Sequence, residues 1–151
     1  MNYKNTVKYW EIWDTPGWDI EGRNGYKKPG EEGNWWQTDP DPCELGVFSS
    51  VQNIVRMYRI AYEVIKSVDP NAYIVFSGAG NASFFDAINR NTDNPEGGKI
   101  SKQFPLKGGA YFDAVSYTVS PLYDGSLLKY NKDLGYFQNF RNTDFAVQSV
   151  I

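Results

Sequence analysis

The chain has 151 residues, a formal net charge of −3, 17% aromatic residues, one cysteine and no histidine. That length buries one hydrophobic core, so a single domain over residues 1–151 is expected; the acidic balance lacks the footprint of a nucleic-acid surface, and no apolar run of about 20 residues offers a membrane span. Without histidine the commonest general base, the commonest metal ligand and every Ser–His or Cys–His nucleophile pair are excluded, which leaves chemistry to carboxylates.

In chain order, Met1-Asn2-Tyr3-Lys4 lacks the apolar stretch of a signal peptide. Val7 to Trp13 alternates aromatic and β-branched residues, which predicts a strand. The connection from Asp14 to Phe48 is rich in Gly, Pro, Asp and Trp, and a loop of that length is either functional or mobile. Within it, Asp39-Pro40-Asp41-Pro42 lacks the Gly and Glu offsets of a calcium loop and reads as a rigid turn, so neither metal nor cofactor is expected. Cys43, the lone cysteine, has no internal disulfide partner.

Ser49 and Ser50 offer N-caps to an amphipathic helix. Val51, Ile54, Val55, Tyr58, Ala61, Tyr62, Ile65 and Val68 share one face, and Arg56, Arg59, Glu63 and Lys66 the other. Asp69-Pro70 ends it, because a residue before proline leaves the α region. Ala72 to Gly78 is a second strand, Ser83 to Ile88 a short helix, and Thr92 to Gly109 an irregular connection. Asn81-Ala82-Ser83 fits a glycosylation sequon, a pattern common by chance. Tyr111 to Thr118 is a third strand, and a last helix capped by Thr143 is expected. Alternation of strand and helix predicts an α/β fold with a parallel sheet and right-handed crossovers, helices covering one side; a small doubly wound sheet is the alternative.

The segment Val7-Lys8-Tyr9-Trp10-Glu11-Ile12-Trp13-Asp14-Thr15-Pro16 resembles the fourth barrel strand of the clan-A glycoside hydrolases, the retaining (β/α)8 glycosidases, where such a strand ends Trp-Asn-Glu-Pro. Ala61 to Ala72 looks like the helix before their fifth strand. Phe112-Asp113-Ala114-Val115-Ser116-Tyr117 looks like their sixth, with Thr118 where a His often stands. The resemblance implies a partial TIM-barrel-like repeat, about half a barrel carrying strands four to six. A full barrel takes about 250 residues, so strands one to three and the seventh, which bears the nucleophilic Glu, fall outside. It also implies an extracellular or cell-surface setting and an oligo- or polysaccharide partner.

Carried over by residue, Asp14 occupies the position of the sugar-binding Asn and Thr15 that of the acid/base Glu. A threonine hydroxyl cannot cycle a proton near neutral pH, whereas the mechanism requires a carboxylic acid with a raised pKa. Asp14 is a weak substitute as acid, a sugar contact, or simply a turn residue. Glu11, in an apolar strand, is expected to be paired in a core network. Trp18, Trp35 and Trp36 in the long loop, with Tyr117 and Tyr123 at the third strand, are placed either to stack on sugar rings or to pin the loop. Three functions compete: a glycosidase-like protein that no longer hydrolyses, a carbohydrate-binding or structural surface protein, and a half-barrel subunit completed by another chain, which its open sheet edges would attract.

Overall fold

A computed structural model of the protein describes residues 6–20, 24–25, 27–77 and 82–116. The elements are β1 (Tyr9–Ile12), α1 (Val51–Val68), β2 (Tyr73–Phe76), α2 (Ala82–Arg90), a single 3-10 turn (Gly108–Tyr111) and β3 (Ala114–Val115). The strands form one parallel sheet in the order β1-β2-β3, with Tyr9 opposite Tyr73 and Val75 opposite Ala114. Thr118, Tyr117, Tyr123 and the helix expected from Thr143 lie outside the described residues.

Strand parity sorts the side chains onto two faces. Trp10, Ile12, Ile74 and Phe76 point into the core, where Tyr58 of α1 lies 5.0 Å and Phe85 of α2 5.1 Å from the Phe76 ring. Both helices therefore cover the same face. The opposite face carries Tyr9, Glu11, Tyr73, Val75 and Ala114, with the Tyr9 and Tyr73 rings stacked at 5.0 Å and 66% and 45% exposed.

The α1 helix begins where Ser50 Oγ accepts the Asn53 amide at 3.3 Å, and it ends at Asp69, extended before Pro70. Its burial fades along its length. Val51, Ile54, Val55 and Tyr58 are buried, Tyr62 and Ile65 are half-buried, and Val68 is 56% exposed, contrary to the single apolar face expected. An 18-residue helix is about 27 Å long while four-residue strands reach about 13 Å, so the last turns outrun the sheet. No helix among the described residues is long and apolar enough to cross a membrane.

All three expected strands are shorter than the pattern suggested, the second keeping Tyr73–Phe76 of the expected Ala72 to Gly78. Trp13 leaves β1 because its φ of 68° is left-handed. Tyr111 turns into the 3-10 segment and packs its ring edge-on to Tyr62. Asp113 then takes ladder positions with both backbone and side chain, its amide donating to Ile74 O and its Oδ2 accepting from Ile74 N, each at 2.8 Å.

The long connection is ordered by polar bonds. The Arg90 guanidinium, at the end of α2, donates to the carbonyls of Trp35, Trp36 and Thr38 and to the Asp39 and Asp86 carboxylates. Glu44 accepts from Trp35 Nε1 and Asn24 Nδ2, and Ser83 Oγ donates to Gly25 O at 2.7 Å.

Candidate functional site

The carboxyl end of β1 is a strained turn. Trp13 and Thr15 both hold positive φ, at 68° and 43°, on either side of Asp14. For a β-branched residue such as Thr15 this φ is a genuine outlier, costing on the order of 1–3 kcal/mol and persisting only where the surroundings enforce it. The enforcement is visible. Tyr58 Oη donates to Ile12 O at 2.7 Å and accepts from Ser77 N at 3.2 Å, bridging the ends of β1 and β2. Thr15 N donates to Ser77 Oγ at 3.3 Å, and Trp18 N donates to Thr15 O at 3.0 Å. Burial pushes the Tyr58 hydroxyl up to about 12, against the Ser77 amide that lowers it, with the Glu11 carboxylate adding a smaller rise. It is a neutral strut between strand ends.

Around this turn the candidate residues separate. Asp14 is exposed and Thr15 half-exposed at the strand end. Trp18 is 65% exposed and rests against Gly46, where an added Cβ would come within 3.0 Å of the indole. Trp35 does not belong to a binding surface: at 1% exposure it is part of the core, its edge against Phe84 and its Nε1 donating to Glu44 at 3.2 Å. Trp36 is half-buried, its Nε1 spent on Lys27 O at 3.0 Å. The Trp35–Trp36 pair thus pins the loop.

Glu11 departs from its expected burial. It stands exposed on the open face and accepts a hydrogen bond from Ser116 Oγ, spanning β1 to β3 across Val75. The acidic turn after Trp36 is neutralised by protein, since Asp39 accepts from Arg90, Gln52 and Asn91. Among the described residues no group of His, Cys, Asp or Glu is arranged to hold a metal ion. The exposed Cys43 thiol is raised by its hydrogen bond to Asp41 and by that carboxylate's charge, which works against a nucleophilic role.

The turn also walls a groove of about 230 Å³ lined by Trp13, Pro16, Val47, Ser49, Asn53, Ile54 and Met57. It lies on the helix side of the strand end, between the long loop and the first turns of α1. Trp13 is 58% exposed there. The sequence pattern places Trp13 in the strand and assigns no role to Asn53 or Met57. The available signal was their four-residue spacing, which puts them on one side of the helix, next to the apolar stripe.

Comparison with family models, with curated proteins and with solved structures finds no match to this chain.

Proposed function

We propose that this chain is a glycoside-hydrolase-like (β/α) unit, about half of a TIM-barrel-like repeat, that binds oligo- or polysaccharide without hydrolysing it. One observation carries the reading. The carboxyl end of a parallel β1 presents an exposed Asp14 and, at the position the resemblance gives to the acid, Thr15, with the exposed indoles of Trp13 and Trp18 on either side in the chain. Ligands of parallel α/β folds collect at such strand ends. Indole faces bury the C–H faces of sugar rings, and that stacking needs no proton transfer. Retaining hydrolysis needs two carboxyl groups roughly 5 Å apart. In the resemblance the first of these falls at Thr15. On this reading the protein works on glycans outside the cell or at its surface.

The test is a panel of fluorogenic β-glycosides offered to the wild type and to Thr15→Glu, beside a glycan-binding assay. Neither protein should hydrolyse any substrate, and Trp18→Ala should weaken polysaccharide binding. Wild-type hydrolysis that disappears in Asp14→Asn overturns the reading and makes Asp14 the acid.

A second reading, a half-barrel subunit completed by another chain, draws support from the open sheet face with its exposed Tyr9, Glu11 and Tyr73. Hydrolysis that appears only in Thr15→Glu, from a species heavier than one chain, would favour it.

A further inference from the structure

We propose that the groove between the β1 exit turn and α1 is a saccharide subsite for one neutral pyranose ring, with Trp13 as its stacking wall and Ser49 and Asn53 as hydroxyl partners. The proposal rests on the glycan-binding reading above and gives it an address on the helix side of the strand end, away from the open sheet face.

The groove, about 230 Å³ and half open to solvent, has room for one hexose ring. Chemistry limits the occupant further. The floor is Pro16, Val47, Ile54 and Met57, and no charged side chain lines the groove, so an ionic ligand finds no counter-charge. Two polar side chains remain at its edge. The helix cap is supplied by Ser50, whose Oγ takes the Asn53 amide N–H, so neither the Ser49 hydroxyl nor the Asn53 carboxamide is needed for capping. A pyranose, with a C–H face and a belt of hydroxyls, matches floor and rim together.

Backbone strain supplies an independent observation. Among the described residues three non-glycines hold positive φ, Trp13, Thr15 and Phe48. Trp13 lines the groove, Thr15 precedes the lining Pro16, and Phe48 sits between the lining Val47 and Ser49. Strain of this kind persists where the fold enforces a particular presentation, and it clusters at ligand sites. Here it is confined to the borders of one groove.

Strain also gives a clean variant. Glycine takes a φ of 68° without cost, so Trp13→Gly removes the wall while relieving the turn and should fold at least as well as the wild type. The full chain is titrated with methyl β-glucoside, β-xyloside, β-mannoside and β-galactoside, followed by ligand-observed saturation transfer and by amide shifts. At least one pyranoside should bind in the millimolar range and shift the Trp13 indole N–H and the Asn53 carboxamide. Trp13→Gly should weaken it at least tenfold and Asn53→Ala about threefold, while Leu106→Ala, at an exposed residue outside the groove, leaves it unchanged. Pyranoside binding untouched by Trp13→Gly and Asn53→Ala overturns the subsite and leaves the glycan-binding reading standing. No response to pyranosides or to any oligosaccharide overturns both. Occupation by an apolar peptide, with no pyranoside response, would assign the groove to a protein partner and also overturn the proposal.

Discussion

Tryptophan shows how one residue type divides by environment. Trp35 is enclosed between Phe84 and Glu44, whereas Trp18 lies on Gly46 with most of its ring in solvent. Truncating Trp35 to Ala should cost about 3–5 kcal/mol, as for a buried aromatic. Trp18→Ala should stay within about 0.5 kcal/mol, because it leaves no cavity; urea unfolding of the two variants checks both. Tyr58 sets an alkaline limit. Its hydroxyl ionises near 10 when unfolded and only at about 12 when folded, so in that window the unfolded chain holds fewer protons. Stability is complete below pH 10 and falls above it, by about 1.4 kcal/mol per pH unit from this group. Tyr58→Phe should flatten that part of the profile and lower stability by roughly 1–3 kcal/mol at neutral pH, since Ser77 N loses its acceptor. At this scale the sequence pattern carried the first strand through Trp13, which the positive φ there excludes. It did not show which tryptophan is buried, since that depends on partners such as Phe84 far along the chain.

At the level of elements, α1 was legible because its signals are local: a serine cap, an apolar stripe and Asp69 before Pro70. The third strand was overextended because nothing local says that Asp113 will occupy ladder positions on β2. The order of the long loop was hidden for the same reason, since the Arg90 bond to Trp35 O spans 55 residues and the Ser83 bond to Gly25 spans 58. Arg90 holds its carbonyls with a planar fork that an ammonium cannot reproduce. Arg90→Lys should therefore cost roughly 2–4 kcal/mol by leaving carbonyls unmet, and limited proteolysis should cut between Trp18 and Cys43 before the core unfolds. Gly17 marks the other tie. A methyl there would fall within the buried Phe84 ring, and Gly17→Ala should destabilise by about 1–3 kcal/mol in thermal unfolding.

Over the molecule as a whole, β2 is, among the described residues, the only strand with a neighbour on each side, and its inner residues Ile74 and Phe76 are fully buried. Native-state amide exchange should be slowest in β2 and in the first half of α1, and fastest in the last turns of α1, where burial fades. A parallel sheet with helices on one face was legible from strand–helix alternation; how the open face is used was not, since an exposed face leaves the same alternating pattern whether or not something covers it. Parallel pairing also bears on how the chain is made. Tyr9 pairs with Tyr73, 64 positions later, so β1 leaves the ribosome well before its partner exists. At 5–20 residues per second it waits roughly 3–13 s, with Trp10 and Ile12 uncovered. During synthesis the strand that ends in the candidate site therefore stays unpaired until β2 follows it, and the 64-position separation sets how long its apolar side chains lack their cover.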